Sequence, residues 1–406
     1  MKPSVLILCQ LFYPELVSTG QTMTELAEKL SEMGAKVEVL AGPPTVVDTS
    51  TKIKRSIYYK GIHVRRVRGT RFPKLSLIGK LINQISYAAF SFFELLQDGK
   101  RTPLLVLTNP PFLGVIAAFL KIVKRRRYIY LIFDVYPETA EILGVIRKDG
   151  LVARIWTAFN RLVISNADEV VVIGRCMSEL IKNKMRSARD KVTVINMWSD
   201  DELIGSTSGR SNPFISKWGL NGKFVIGYSG NIGRFHDMET IMEAARLLNG
   251  EPDVLFLIIG EGYKKKWCVD FVREHMLENV KFMTYVDRKD LGFALSTFHI
   301  GLTCLERGQE GLSVPSKTYG MMAARVPVIA VMSDFSEIAR MLKEENCGFV
   351  VSQGKSEKLV SSILKLKNDQ DIRATMSENA IISIHKKYNL AKSSGDFLKL
   401  IEKIQP

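Results

Sequence analysis

Short apolar segments that suit buried strands alternate with helical segments in two separate series along this chain of 406 residues. The first series opens with a predicted strand at 5–8, a helix at 21–33 and a strand at 36–40, which together form a βαβ unit. Helices that connect successive strands bring those strands together in parallel, so each series predicts a doubly wound α/β sheet. A chain of this length is too long for one ordinary core and suits two domains of about 150 to 200 residues.

The two series are separated by a polar passage rich in glycine and serine at 199–213, which is typical of a linker. We place the domain boundary there, with one domain at 1–200, a second at 201–390 and a helical segment at 391–406. The sequence leaves open whether this last helix returns to the first domain. Further predicted strands lie at 104–107, 128–133, 169–173, 192–195, 224–228, 254–259, 300–305 and 328–331, and further helices at 112–124, 151–167, 237–248, 264–275 and 316–324.

The chain carries 57 basic and 42 acidic residues, a formal net charge of +15, which predicts an anionic partner or an anionic surface. Nucleic acid, a nucleotide and a phospholipid all fit this charge, but no nucleic-acid recognition module is readable. The five cysteines lie far apart, without a CxxC pair, and indicate neither a disulfide framework nor a zinc site. Because the apolar run at 5–8 is too short for a signal peptide, we expect the chain in the reducing cytosol.

The segment Tyr228-Ser-Gly-Asn-Ile-Gly-Arg-Phe-His-Asp237 lies between a predicted strand and a predicted helix. Gly230 and Gly233 allow backbone amides to approach a ligand, and Arg234 can make charge-assisted hydrogen bonds to phosphate. Taken alone, the segment fits an ordinary βα turn as well as a diphosphate cradle.

A second segment, Glu310-Gly-Leu-Ser-Val-Pro-Ser-Lys317, precedes a helix of small residues that runs into the strand at 328–331. Pro315 suits the start of a helix, and Ser316 or Lys317 stands at its N-terminus, where anions are favoured. Glu310 can accept two hydrogen bonds from the hydroxyls of a sugar ring. Together with Arg234, this grouping favours a ligand site over a solvated helix end.

Together the two segments resemble the retaining, nucleotide-sugar-dependent glycosyltransferases of family four, and the likeness extends over nearly the whole chain. It includes the segments Phe133-Asp-Val-Tyr-Pro-Glu138, Asn166-Ala-Asp-Glu-Val-Val and Ile195-Asn-Met-Trp-Ser-Asp200. The motif Val-Pro-Ser-Lys-x-Tyr-Gly is similar to that of a branch associated with surface-polysaccharide synthesis. The resemblance implies the α/β fold called GT-B, in which two Rossmann-like doubly wound domains face a central cleft.

The resemblance also implies a reaction in which a sugar moves, with retention, from a nucleotide diphosphate sugar to a hydroxyl, without a metal or cofactor. The nucleotide is expected to be UDP. The implied catalytic residues are Arg234 and Lys317 at the diphosphate and Glu310 at the donor sugar. The first domain is expected to bind the acceptor and the second the donor. The other residues expected at the donor are Gly230, Asn231, Gly233, His236, Gly260, Gly262, Tyr285, Val286, Gly311, Pro315 and Ser316.

The sequence departs from the family pattern at two positions. A second glutamate of the family binds the ribose, and its place is taken here by Gly320. The family's lysine after the arginine is also missing, and a shortened loop puts His236 near its place. The ribose contact is therefore left without an assigned side chain.

On the acceptor side, Asp134 and Glu138 follow a buried strand, at the edge where α/β sheets bind ligands. They are predicted to orient the acceptor hydroxyl or to act as a base, and the alternative is that Asp134 caps the next helix. Gly20 matches the glycine of the family's first loop and is expected on the same side. The pair Asp200-Asp201 is interpreted as a solvated turn in the linker rather than a metal site.

The segment 75–96 is apolar and aromatic, but polar residues interrupt it, which disfavours a membrane-spanning helix. We interpret it as an interfacial helix that docks on an anionic inner leaflet, close to a lipid-linked glycan acceptor. The alternative is a core helix with solvated basic flanks. Either way we expect the enzyme in the cytoplasm, with the interfacial interpretation adding peripheral attachment to the membrane. The flanking basic residues are Arg65, Arg66, Arg68, Arg71, Lys74, Lys121, Lys124, Arg125, Arg126 and Arg127.

Two other functions remain open at this point. A nucleotide-sugar epimerase can share the fold and would convert the donor alone into a new epimer. A non-catalytic partner of another transferase would bind the nucleotide sugar without turnover, and Gly320 is the residue that motivates this alternative.

Overall fold

The computed structural model describes residues 2–15, 19–44, 54–72, 77–199, 204 and 212–406. The chain forms two compact units, one made of Met1–Asn196 with Leu390–Pro406 and the other of Met197–Asn389. The last helix therefore belongs to the first unit. Most of the predicted linker, including Asp200-Asp201, lies outside the described residues.

The first unit contains an eight-stranded sheet with the order β3-β4-β2-β1-β5-β6-β7-β8. All neighbours pair in parallel except β3 and β4, which are antiparallel. The strands are β1 Ser4–Cys9, β2 Lys36–Ala41, β3 Ser56–Tyr59, β4 Ile62–Arg66, β5 Leu104–Leu107, β6 Tyr128–Ile132, β7 Glu169–Val172 and β8 Val192–Val194.

The helices of this unit cover the sheet and bury its apolar strands. They are α1 Thr19–Glu32, α2 Leu77–Gln97, α3 Leu113–Lys124, α4 Glu138–Ile142, α5 Leu151–Asn166 and α6 Arg175–Lys184, with a 3₁₀ turn at Arg186–Lys191. Helix α1 ends at Glu32, and Gly34 follows it, as predicted, at a φ of 91° that only glycine adopts without strain. The C-terminal helix, Leu390–Lys403, packs against α1.

The second unit contains a six-stranded, fully parallel sheet with the order β11-β10-β9-β12-β13-β14. Its strands are β9 Phe224–Ser229, β10 Val254–Ile259, β11 Val280–Met283, β12 Ile300–Cys304, β13 Val328–Val331 and β14 Gly348–Val351. Its helices are α7 Pro213–Lys217, α8 Met238–Leu247, α9 Lys265–Glu274, α10 Leu291–Leu295, α11 Lys317–Ala323, α12 Glu337–Glu344, α13 Ser356–Asn368 and α14 Gln370–Lys387. The helix Leu390–Lys403 of the first unit is therefore α15.

The alternation of strands and helices predicted from the sequence is confirmed, but strands β11 and β14 and the antiparallel pair β3 and β4 were not predicted. Strands β3 and β4 are joined by Lys60 and Gly61, both at positive φ (46° and 78°), which is the backbone of a two-residue hairpin. Lysine is unusual at such a turn, so the sequence gives little signal of it. Among the described residues, no helix combines the length and apolarity that crossing a membrane requires.

Candidate active site

The predicted donor segments of the second unit meet through backbone. Gly230 follows β9, and Gly260 and Gly262 follow β10, all three at positive φ between 139° and 155°. A Cβ atom added at Gly260 would lie 2.0 Å from the backbone oxygen of Gly230, and one at Gly262 would lie 2.4 Å from that of Ile232. The two loops can approach this closely only because both positions lack a side chain.

His236 holds the first of these loops closed. Its Nδ1 accepts a hydrogen bond from the backbone N–H of Gly233 at 2.9 Å, and the Tyr228 hydroxyl lies 3.1 Å from the same nitrogen. Burial, together with the nearby Lys317 ammonium, lowers the pKa of His236 to about 2. The imidazole is therefore neutral at physiological pH and braces the loop through an acceptor nitrogen.

Lys317 brings a cation to this loop from the start of α11. Its Nζ donates to the Tyr228 hydroxyl and to the backbone oxygen of Asn231, the latter at 3.3 Å, and lies 3.9 Å from the centre of the Tyr228 ring. Burial lowers the pKa of Lys317 to about 8. The side chain is therefore mostly charged at pH 7 and loses its proton as the pH rises through about 8. A Cβ added at Gly230 would lie 3.2 Å from Lys317 Cε, so this glycine also makes room for the lysine stem.

Arg234 is exposed, and its guanidinium lies 3.8 Å from the centre of the Tyr263 ring. This cation–π contact holds the arginine beside the loop that follows Gly262. Tyr285, on the loop after β11, approaches the loop after β10, where its hydroxyl is 3.4 Å from the backbone oxygen of Glu261.

Glu310 is half-buried in the loop between β12 and α11, beside Gly311 at a φ of 78°. Its carboxylate makes no hydrogen bond or ion pair with any residue that the structure describes. Helix α11 begins at Lys317, so Ser316 is its N-cap residue, without a capping side-chain bond, and Pro315 precedes it.

Sequence reasoning missed the residues that support these cations. Tyr228 orients Lys317, and Tyr263 orients Arg234. Lys264 braces the loop from behind, because its Nζ donates to the backbone oxygen of His236 at 2.9 Å and also pairs with Glu239 and Glu306. The signal for Tyr263 and Lys264 was their place directly after the predicted Gly260-Glu-Gly262 turn.

The position of the family's ribose glutamate faces apolar side chains. A Cβ added at Gly320 would lie 3.5 Å from Leu295 Cδ1 and 3.7 Å from Ile204 Cδ1. Both distances are ordinary van der Waals contacts, so the position has room for a small side chain. The structure offers no substitute carboxylate at this point among the described residues around Gly320.

The first unit contains a separate cavity of about 290 Å³ next to the end of β6, and both Asp134 and Glu138 line it. Burial raises the pKa of Asp134 to about 6, although Lys80 acts in the opposite direction. Glu138 pairs with Lys184 through one carboxylate oxygen, while the other is buried without a described partner. The remaining lining residues are Thr108, Pro111, Tyr130, Ile132, Val135, Tyr136, Pro137, Trp156, Thr157, Asn160, Arg161, Ile164, Ile181 and Met185.

The capping role considered for Asp134 is wrong, because the N-cap residue of α4 is Pro137 and no side chain caps that helix. Asp134 instead lies in the cavity, together with the stacked rings of Tyr136 and Trp156, whose centroids are 5.1 Å apart. Gly20 is not among the lining residues. It is buried at the start of α1, where a Cβ would lie 2.6 Å from the backbone oxygen of Glu15, so the first loop packs closely against it. Its expected place on the acceptor side stays a prediction.

Both halves of the chain match models of known families. Residues 19–198 match the model described as "Glycosyl transferase 4-like domain", and residues 212–382 match "Glycosyl transferases group 1". A Pseudomonas aeruginosa protein named as a glycosyltransferase, WbjE, is 32% identical over 69% of this chain and 70% of its own length. An Escherichia coli K12 protein named as a colanic acid biosynthesis glycosyl transferase, WcaI, is 25% identical over 81% of this chain and 83% of its own.

Solved structures with the same fold cover the whole chain. Sucrose-phosphate synthase from Thermosynechococcus elongatus superposes with a TM-score of 0.76 at 14% identity, over 100% of this chain and 99% of its own. Anabaena HepE in complex with UDP superposes with a TM-score of 0.72 at 14% identity, over 100% of both chains. At this identity the likeness shows the fold alone, which is the predicted GT-B fold of two α/β domains. The two family models and WbjE establish that the chain belongs to the group 1 glycosyltransferases, the family-four type predicted from the sequence.

Proposed function

We propose that this glycosyltransferase moves a sugar, with retention of anomeric configuration, from a UDP-sugar to a hydroxyl of a lipid-linked glycan. The reaction would take place at the cytoplasmic face of a membrane during synthesis of a cell-surface polysaccharide. The expected reaction needs no metal or cofactor, and in that case the protein's own groups stabilise the charge that develops on the leaving diphosphate.

The observation that carries the donor assignment is the pair of cations, Arg234 and Lys317, held against the glycine loops of the second unit. A diphosphate gains negative charge as it leaves, and preorganised cations and backbone N–H groups stabilise that charge without having to reorganise. The backbone N–H groups of Gly230, Ile232 and Gly233 are already bonded within the protein, so the two cations carry this role. HepE, which shares the fold, was solved in complex with UDP. Glu310, whose carboxylate has no described partner, is free of intramolecular competition and is proposed to bind hydroxyls of the donor sugar.

The acceptor assignment rests on the cavity of the first unit. Asp134 has a carboxylate whose pKa of about 6 leaves it ionised but poorly solvated at pH 7. Such a group gains from accepting a hydrogen bond from a substrate hydroxyl. We propose that Asp134 orients the attacking hydroxyl and that Glu138, fixed by Lys184, binds a neighbouring one. The name of WcaI refers to colanic acid biosynthesis, which supports a polysaccharide acceptor.

Membrane attachment is proposed through α2, within the segment 75–96 identified from the sequence. The inner face of α2 is fixed to the unit, since the Tyr87 hydroxyl donates to the Leu40 backbone oxygen at 2.7 Å. Its outer face carries Ile78, Ile85 and Phe93, all exposed. An apolar outer face supports an interfacial helix rather than a core helix with solvated flanks.

The donor assignment is tested by titrating UDP into the protein in a calorimeter. Arg234→Ala is expected to weaken binding roughly 10- to 100-fold, because a hydrogen bond to a charged group is worth about 1.5–3 kcal/mol. Arg273→Ala, which removes an exposed arginine of α9 paired with Asp270, is the matched control and should leave the affinity unchanged. An Arg234→Ala protein that binds UDP as tightly as the parent would contradict the assignment.

The reaction class is tested with UDP-sugars and synthetic polyprenyl-diphosphate sugars. Retention predicts that proton NMR finds the anomeric configuration of the donor preserved in the product. Family membership supports transfer over the epimerase alternative, and a new sugar epimer formed from donor alone would reverse that choice. UDP-sugar binding without turnover on any acceptor would instead favour the non-catalytic alternative.

A further inference from the structure

Helix α5 of the first unit and the turn before it expose an apolar surface that the proposed function does not use. Val145 in the turn and Leu151 at the start of α5 are 71% and 75% exposed. The exposed large apolar residues of this region are Ile142, Val145, Leu151, Val152, Ile155, Phe159 and Leu162, which we call the α5 apolar stripe. An apolar surface of this size facing water marks an interaction site.

The stripe has the spacing of one helix face. Within α5, Leu151, Ile155, Phe159 and Leu162 recur every three or four residues, so their side chains point to the same side. That side faces away from the sheet, because Ala153, Val163 and Ile164 are the residues of α5 that are buried. A helix of a water-soluble protein normally shows the opposite arrangement, with its apolar face inward and polar residues outside.

Basic residues border the stripe. Arg154 and Arg161 are both exposed and lie seven residues apart, on one edge of the same face. Arg147 and Lys148 are exposed in the turn. Between 142 and 162 the sequence contains these four basic residues and a single acidic one, Asp149. The surface therefore combines apolar side chains with a positive edge.

The turn that carries part of the stripe is ordered by hydrogen bonds. The backbone N–H of Asp149 donates to the Glu141 carboxylate at 3.0 Å, and Arg154 Nε donates to the Asp149 backbone oxygen at 3.1 Å. Val145 donates through its backbone N–H to Ala140 at 3.0 Å. The apolar side chains are thus presented by a fixed backbone rather than by a loose loop.

The stripe continues onto the neighbouring helices. Phe112, at the start of α3, stacks on Trp156 of α5 with ring centroids 5.8 Å apart. Farther along α3, Phe119 lies 5.4 Å from Phe92 of α2. Ile122 and Val123 of α3 are exposed as well. The outer faces of α2, α3 and α5 therefore belong to one layer of helices with apolar side chains outward.

We propose that the α5 apolar stripe inserts into the headgroup and acyl boundary of an anionic lipid bilayer, with Arg147, Lys148, Arg154 and Arg161 at the level of the phosphates. This inference extends the membrane contact proposed for α2, and so rests on that part of the proposed function, but it does not depend on the reaction. Charge complementarity selects this occupant, since arginine and lysine stems lie along apolar surface while their charged ends reach anionic headgroups. A second copy of the chain would place the same positive edges together.

The test is flotation of the full chain with vesicles of phosphatidylglycerol and phosphatidylethanolamine, compared with phosphatidylcholine vesicles. The parent should float with the anionic vesicles only, and less so as salt rises. Ile155→Glu/Phe159→Glu should lower the bound fraction about tenfold or more, because two apolar groups are replaced by charges that the bilayer repels. The matched control, Leu247→Glu/Val269→Glu, changes two exposed apolar residues of α8 and α9 and should float like the parent.

Two further measurements keep the outcome decisive. UDP binding, which depends on the second unit, should persist in Ile155→Glu/Phe159→Glu, so a variant that loses both activities reports misfolding. In that case Lys148→Gln/Arg154→Gln, which keeps the apolar residues, should still weaken flotation and flatten its salt dependence. Flotation that is unchanged in both variants overturns the proposal. So does a concentration-dependent dimer in sedimentation velocity that Ile155→Glu/Phe159→Glu dissolves while the parent fails to float.

Discussion

The candidate site of the second unit is built largely from backbone, whereas that of the first unit is built from side chains. Gly230, Gly260 and Gly262 bring two loops into direct contact, and the neutral His236 ring closes one of them. In the first unit, by contrast, aromatic and charged side chains line a cavity around Asp134. A backbone site suits a ligand that never changes, such as a diphosphate, while a side-chain site can be altered residue by residue. The difference supports a fixed donor side and an adaptable acceptor side.

The outer surfaces of the two units also differ, in how many large apolar side chains they expose. Most of the exposed large apolar side chains among the described residues lie between 78 and 162 of the first unit. The second unit exposes fewer such residues, for example Leu247 and Val269. Scattered apolar residues are normal on a soluble protein and carry no functional meaning. Only the first unit therefore presents a surface suited to lipid.

The largest effect is expected from Gly260→Ala, which tests whether the donor side is a backbone site. The added Cβ would meet the backbone oxygen of Gly230 at 2.0 Å, and a φ of 147° is strained for any residue with a side chain. We expect a loss of about 3 kcal/mol or more in the free energy of unfolding, with UDP binding lost in calorimetry. Gly250→Ala, whose Cβ would meet no atom within 4 Å, is the control. A fully stable Gly260→Ala protein with parental UDP affinity would remove the distinction between the two units.

A smaller effect is expected from Asp134→Asn, which separates stability from activity in the first unit. Folding raises the pKa of Asp134 from 3.8 to about 6, so the folded state holds the proton more tightly than the unfolded chain. The ionised carboxylate therefore costs stability, and this cost grows as pH rises from about 4 to about 6 and is complete above that range. Asparagine has no charge to bury, so at pH 8 the variant should be more stable by about 2 kcal/mol.

The same substitution should slow sugar transfer, since a buried charge that costs stability is retained for its chemistry. In the parent, transfer should also decline as pH falls through about 6, where Asp134 takes up its proton. Urea unfolding at pH 5 and pH 8 measures the first effect, and steady-state rates measure the second. Asp270→Asn, at an exposed carboxylate of the second unit, should change stability by less than about 0.5 kcal/mol. Asp134→Asn protein that is both less stable and fully active would mean that the carboxylate is structural.

The affinity for the donor nucleotide should fall at alkaline pH, and we attribute this fall to Lys317 of the second unit. Because burial lowers the pKa of Lys317 to about 8, its charge is lost as pH rises through that value. The terminal phosphate of UDP is almost fully ionised above pH 7 and its uracil ring begins to lose a proton only at the top of this range, so the affinity should fall about tenfold between pH 7 and pH 9 through loss of the Lys317 charge. Lys317→Arg should bind with little dependence on pH, since a guanidinium stays charged. Arg234→Ala should bind UDP more weakly at every pH, but its affinity should fall between pH 7 and pH 9 as in the parent. A parent affinity that does not change up to pH 9 would contradict the role of Lys317.

The sequence predicts the fold well where a strand is buried on both faces. The strands at Leu104–Leu107, Val254–Ile259 and Val328–Val331 have the predicted bounds, because unbroken apolar runs between polar or proline-containing segments leave one assignment. The hairpin of β3 and β4 escaped prediction because its turn residue Lys60 adopts a positive φ that lysine rarely shows. Local sequence alone does not encode such a tertiary requirement.

The candidate site could be predicted only in part for a related reason. Motif residues such as Arg234 and Lys317 are visible in the sequence, but Tyr263 and Tyr228, which orient them, are recognised only by their packing. The cavity of the first unit depends on α5, so Trp156 and Arg161 were not connected with Asp134. The outward direction of the α5 apolar stripe was likewise invisible, since periodicity identifies the apolar face of a helix but not what it faces.

The smallest effect is expected at Gly320, and it sharpens the comparison because a glycine stands there where the family pattern has a glutamate. Helix α11 has space there, since an added Cβ would make ordinary contacts with Leu295 and Ile204. Alanine should therefore raise the free energy of unfolding by about 0.5–1 kcal/mol through helix propensity, and change UDP affinity less than about twofold. Thermal unfolding and calorimetry measure the two quantities. If Gly320→Ala instead weakened UDP binding tenfold, the ribose would have to lie against the backbone of α11, and the donor side would depend on one more glycine than we assign to it.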